Sequence, residues 1–298
     1  MSIPLSRRRF LKGTLAAGAS VAMAGEMAEA VAAAGKGSKM RLGMVTYQWG
    51  KDWDLPTLIA NLEKAKVLGV ELRTTHKHGV EPSLSAAQRA EVKKRFDDSP
   101  VVLAGIGSDE RLDDPDPGKL AKAVEKTKAF IQLSHDVGGS GVKVKPNSFH
   151  KDVPREKTIE QIGTTLNAVA RFAADYGQQI RLEVHGQCAE LPIMKQIMGI
   201  ATDRNAAVCW NSNGTDLKGQ GLEHNFGLVK DRFGATTHIR PLDVKGYPWQ
   251  ELIGLLVKMD YAGWLLIEAS DKREDYVAAL AKQQGLLDQM RAKAQQAV

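Results

Sequence analysis

Glu183 and His185, Asn211 and Asn213, His238 and Arg240, and finally Glu268 fall at the ends of four successive short apolar runs. Residues two apart on a strand share a face, so each pair points one way, while Leu182, Val184, Trp210 and Ile239 between them suit the layer that packs against helices. A lone inward charge is expensive to bury. Two carboxylates, an imidazole and an amide converging from neighbouring strands are more naturally held together by a cation. Carboxylate oxygens with one imidazole suit Mn²⁺, Mg²⁺, Co²⁺ or Zn²⁺ and leave open positions for two substrate oxygens. The same residues also admit a metal-free reading, a buried ion-pair network in which Glu183 and Glu268 pair with Arg240, Lys145 or His185.

Two earlier runs add to the set. One ends in Glu71, Arg73, His76 and His78, the other in Lys143 and Lys145. His76, nearer its run than His78, is a substrate-binding candidate, and the alternative for both is an exposed loop. Trp49 and Trp210 could offer an aromatic face to a substrate or simply fill the core.

These residues need elements to position them. From Arg41 onward, β-branched or apolar runs alternate with stretches of helical period. The spacing predicts eight strands, at 41–48, 69–76, 100–107, 141–146, 180–186, 207–213, 236–242 and 263–269. It also predicts eight helices, at 54–68, 85–97, 117–137, 157–176, 190–203, 224–233, 248–260 and 272–295. Asp54 before Leu55-Pro56 reads as an N-cap, and Gly69, Gly138, Gly177 and Gly234 read as stops before strands. Eight βα units with no strand left over predict an α/β fold, a single (β/α)8 TIM barrel. The rival, an open doubly wound sheet, normally carries a glycine fingerprint after its first strand, and Tyr47-Gln48-Trp49-Gly50-Lys51 is not one. In such a barrel the strands' carboxyl ends form the active face, where the polar residues cluster.

The chain opens with Ser6-Arg7-Arg8-Arg9-Phe10-Leu11-Lys12 and an Ala/Gly-rich stretch from Thr14 to about Ala24. This is the pattern of a twin-arginine export signal. Small residues at Ala30-Val31-Ala32 and Ala32-Ala33-Ala34 place cleavage between Ala33 and Gly37. The predicted organisation is a signal peptide over 1–35 and one barrel domain over 40–298, in a periplasmic or otherwise exported protein. No other stretch approaches the roughly 18 apolar residues of a membrane span, so no stable span is expected after processing. The formal charge of +6 includes +2 from the leader, and the remaining +4 gives no reason to expect a nucleic-acid partner. Two cysteines, Cys188 and Cys209, are too few for a disulfide scaffold, and whether they pair is open.

LEVHG (182–186), VCWNSN (208–213), THIRPLD (237–243) and LLIEAS (265–270), with GVELRTTHKHGVEP (69–82), resemble the sugar phosphate isomerase/epimerase family of xylose-isomerase-like barrels. The resemblance spans nearly the whole mature chain. It implies metal ligands at Glu183, His238 and Glu268, with Asn211 where the family has Asp. An amide brings no charge, so the site should bind metal more weakly, or His185 should complete it. The family's chemistry is proton transfer beside a carbonyl, which implies Glu183 and Glu268 as catalytic acid and base. His76, Lys145, His185 and Arg240 would bind substrate or orient a ligand.

The function this implies is an exported, divalent-metal-dependent isomerase or epimerase acting on a carbohydrate or polyol, with a 3-keto-glycoside lyase or hydrolase as the alternative. Phosphorylated sugars are scarce outside the cytoplasm, which favours a free, oxidised or glycosidic sugar. A non-catalytic sugar-binding barrel and an enzyme of the endonuclease IV type are weaker readings. The latter needs a larger His/Glu/Asp set and a basic face. Expected partners are the sugar and the twin-arginine machinery, with homo-oligomerisation left open.

Overall fold

The computed structural model describes residues 35–297, so the predicted export signal lies outside the described residues. Among them, eight parallel strands alternate with eight α-helices. The strands are β1 (Arg41–Val45), β2 (Gly69–Arg73), β3 (Val102–Arg111), β4 (Gly141–Lys145), β5 (Gln179–Glu183), β6 (Ala206–Cys209), β7 (Thr236–Ile239) and β8 (Trp264–Ile267). The helices are α1 (Leu55–Ala65), α2 (Ala86–Asp97), α3 (Pro117–Asp136), α4 (Arg155–Ala174), α5 (Leu191–Ile200), α6 (Gly221–Gly227), α7 (Trp249–Lys258) and α8 (Tyr276–Gln295). No helix of the described residues is long and apolar enough to cross a membrane.

The predicted units are all present, with shifted bounds. Seven strands stop earlier because the ladder ends where the chain lifts into site loops, whereas β3 runs on to Arg111, past its predicted end at 107. Helix ends are set by caps: Asp54 accepts from Thr57 N, Ser85 and Gln88 form a capping box, and Asp275 starts α8 later than predicted. Gly138 and Gly177 adopt left-handed φ of 84° and 62° as expected of helix stops. After α1, Lys66 takes that conformation instead.

The hydrogen-bonded order is β6-β5-β4-β3-β2-β1-β8-β7, leaving a seam between β6 and β7. It is closed thinly. His238 N donates to Trp210 O (2.6 Å), Ser212 N to His238 O (3.2 Å) and Gly234 N to Val208 O (2.8 Å). Asn211 and His238 face each other there as an isolated parallel bridge.

The main core lies between strands and helices and includes Leu182, Val184, Trp210 and Ile239, as the alternation predicts. A smaller cluster of Val45, Ala104, Trp264 and Leu266 is separate from it. Trp264 and Leu266 share the inward face of β8 with Glu268, and so lie beneath it in the barrel. Cys188 and Cys209 are buried and unpaired.

Candidate metal and substrate site

The strand ends bring Glu183, His238 and Glu268 together, with one ligand atom from each within 4.8 Å of the others. His238 is fully buried. Its Nε2 lies 3.0 Å from Oε1 of Glu71, and its Nδ1 faces Glu183 Oε1 at 3.5 Å and Glu268 Oε2 at 3.7 Å. Nδ1 has no hydrogen-bond partner. With Nε2–H donated to Glu71, the Nδ1 lone pair points between the two glutamates, the arrangement in which a carboxylate behind a histidine fixes the tautomer that binds metal.

Asn211 sits against the same carboxylates. Its Nδ2 donates to Glu183 Oε1 (2.8 Å) and Glu268 Oε2 (3.2 Å). His185, the other candidate for the fourth corner, is outside the cluster: its Nδ1 lies 3.2 Å from Oδ1 of Asn147, and burial pushes its pKa down, favouring the neutral ring.

Sequence reasoning named Lys145, but Lys143 is the lysine at the glutamates. Its side chain is 2% exposed and its Nζ is 2.9 Å from Glu183 Oε2 and 3.2 Å from Ser108 O. Burial alone would push its pKa down, but Glu183, Glu71 and Glu268 outweigh that and raise it. Lys145 instead pairs with Asp109 at 2.5 Å. The ion-pair alternative thus names the wrong partners. Arg240, Lys145 and His185 do not pair with Glu183 or Glu268, and Lys143 does.

Glu71 was legible as a strand-two residue but not as His238's partner, 167 positions away. The clue lies in β3, where Gly107 leaves room for it: a Cβ there would sit 2.7 Å from Glu71 Oε1.

The electrostatics follow from this crowding. Burial would raise Glu183's pKa, yet Lys143 and His238 hold it well below the usual carboxylate range. Burial would lower His238's, yet Cys209, Glu71 and Glu268 outweigh it, so without a cation the ring draws a proton. A divalent cation held there would compete with that proton for one place.

Around the mouth, Arg240 lies over the Tyr247 ring with its guanidinium carbon 5.7 Å from the centroid, and its Nε has no partner. Tyr247 Oη donates to buried Asp216 (2.7 Å), whose pKa burial raises to about 7. His76 packs by Arg73, with Nε2 3.3 Å from Nη1. His78 is structural, joining Arg73 O and Val80 N. Trp49 and Trp210 are each 1% exposed and present no ring to a sugar.

The family described as the xylose isomerase-like TIM barrel matches residues 59–210, half of the chain. The chain belongs to that family. A twin-arginine translocation signal matches residues 4–24, and this xylose isomerase-like barrel is exported by that route. No curated protein sequence matches it. Solved structures share its fold at low identity. L-ribulose 3-epimerase is 16% identical with a TM-score of 0.74, covering 86% of this chain and 96% of its own. The apo 3-keto-D-glucoside 4-epimerase from E. coli is 14% identical with a TM-score of 0.69, covering 84% and 99%. The IolI protein with a bound zinc atom is 15% identical with a TM-score of 0.66, covering 86% and 96%.

Proposed function

We propose that this exported barrel is a divalent-cation-dependent enzyme that moves a proton beside a carbonyl of a carbohydrate, as an isomerase or epimerase or, in a second reading, as a lyase of 3-keto-glycosides. The observation that carries the reading is His238 Nδ1, buried and unpartnered between two glutamates while Glu71 holds the opposite ring nitrogen. A donor set of two carboxylates and one neutral imidazole fits a hard or borderline cation. Similar folds named for epimerases of keto sugars, one with zinc bound, support the choice of class.

Glu183, His238 and Glu268 would hold the cation, with Asn211 as fourth ligand once its amide turns Oδ1 inward. A bound divalent cation supplies Lewis-acid polarisation of a substrate oxygen. The chain's residues do the rest. Glu183 and Glu268 are the carboxylates available to move the proton, while Arg240, His185, His76 and Lys145 bind substrate oxygens. Among the described residues one His/Glu cluster of this kind occurs, which does not support a three-zinc nuclease site.

The test is a Co²⁺ titration of the purified protein, followed by incubation of the loaded enzyme with free ketoses and 3-keto-glycosides in heavy water. The expected result is stoichiometric binding, with deuterium uptake or cleavage in one of the panel. Unmeasurable binding of Co²⁺, Mn²⁺ and Zn²⁺ refutes the proposal.

A further inference from the structure

The two glutamates of the cluster are not equivalent, and a buried lysine makes the difference. Glu183 is held at both oxygens: Oε1 accepts from Asn211 Nδ2 at 2.8 Å, and Oε2, buried and without a hydrogen-bond partner, is ion-paired with Lys143 Nζ at 2.9 Å. Its side chain is 1% exposed, against 20% for Glu268. Among the described residues no lysine or arginine pairs with Glu268, whose contacts are to Asn211 and His238 through Oε2. Lys143 is itself anchored to Ser108 O on the neighbouring strand and cannot swing out without abandoning a buried charge.

We propose that Lys143 is a positioning residue that locks Glu183 as an anchor, so that Glu268 alone takes and returns the substrate proton, on one face of the sugar. This rests on the reading of the site given under Proposed function and narrows it. Inverting a carbon needs a proton donor on the face opposite the base, and a glutamate sealed under an ammonium cannot supply one. One-face chemistry suits elimination from a carbonyl sugar that carries an oxygen substituent on the carbon next to the one losing its proton. The Glu268 carboxylate takes the C–H proton and the electron pair moves onto the carbonyl oxygen. When the carbonyl re-forms, a C=C bond forms and the C–O bond to the substituent breaks. The departing oxygen takes the proton back from Glu268, so the products are an unsaturated carbonyl sugar and a free alcohol, with no further reactant.

The deciding experiment needs no substrate. The full purified protein, with and without Co²⁺, is treated with a water-soluble carbodiimide and glycine ethyl ester, and labelled carboxyls are mapped by peptide mass spectrometry. The expected result in the cation-free protein is Glu268 labelled roughly tenfold or more over Glu183, in line with exposures of 20% and 1%. Equal labelling overturns the proposal. In folded Lys143→Met, Glu183 should become labelled to the level of Glu268, and Lys143→Arg should restore its protection; a Glu183 that stays protected in Lys143→Met refutes the role of Lys143. With Co²⁺-loaded enzyme, D-fructose should give no C3 epimer, and catalytic formation of that epimer also overturns the proposal. Failure of the cation reading would show separately, as absent Co²⁺ binding with the labelling contrast intact.

Discussion

Oε1 of Glu71 and Nε2 of His238 lie 3.0 Å apart inside the barrel, across 167 positions of sequence, and that contact decides which ring nitrogen is free to hold a cation. Without Glu71 the tautomer is unconstrained. Glu71→Gln keeps an oxygen able to accept from Nε2–H but loses the carboxylate's charge. The expected result is Co²⁺ affinity about 10- to 100-fold weaker, as for other partners behind metal-bound histidines, with the far-ultraviolet circular dichroism unchanged.

Asn211 is the one amide among the four corners of the site. Asn211→Asp adds a carboxylate and removes the amide that bridges Glu183 and Glu268. Cation affinity should rise by on the order of tenfold, since charge count tunes such sites. The cation-free variant should unfold at lower temperature than the parent, with the order reversed in saturating Mn²⁺. Calorimetry with and without Mn²⁺ measures both, and an unchanged affinity refutes the assignment of Asn211 to the cation.

Glu183 and Glu268 should differ in stability as well as in exposure. Glu183→Gln strips the buried Lys143 ammonium of its closest partner, and breaking a buried pair typically costs about 3–5 kcal/mol. Glu268→Gln alters a side chain that keeps some solvent and lacks a lysine. Urea unfolding of the two variants without metal should place Glu183→Gln well below Glu268→Gln, while both lose turnover.

Asp216 gives a pH signature away from the cluster. Its pKa is raised from 3.8 to about 7 by burial, against the hydrogen bonds from Tyr247 and Asn213. The folded chain therefore binds that proton more tightly than the unfolded one. The stabilisation is complete below about pH 4 and is lost as pH rises through about 7. Asp216→Asn, which cannot ionise, should remove a few kcal/mol of pH dependence over this window. Unfolding curves at pH 5 and pH 8 test it, and an unchanged slope refutes it.

The eight βα units are legible in the sequence because a two-residue period and a 3.6-residue period, separated by caps and glycines, leave little freedom in assigning them. The candidate cluster is legible for a related reason: Glu183, His238 and Glu268 lie at or beside the carboxyl ends of three strands, and alternation turns them inward. The limits lie in depth and distance. Alternation gives Lys143 and Lys145 the same face, and only the barrel's stagger sets Lys143 against Glu183 while Lys145 reaches Asp109. Alternation likewise places His185 beside Glu183, but the chain leaves the ladder at Glu183 and the ring turns to Asn147. Asp216 lies in a single 3-10 turn, Gly214–Leu217, too short for periodicity to show.

The β6–β7 seam joins these threads. Every other strand contact in the barrel is a ladder of paired residues, whereas this one is fastened by two isolated bridges, Val208–Phe233 and Asn211–His238, and both residues of the second belong to the site. A ligand gripping both residues would act as a buckle on the barrel's weakest hoop. Because the twin-arginine route carries chains already folded, a cation bound there before export would fasten that buckle in the cytoplasm, ahead of whatever metals lie outside.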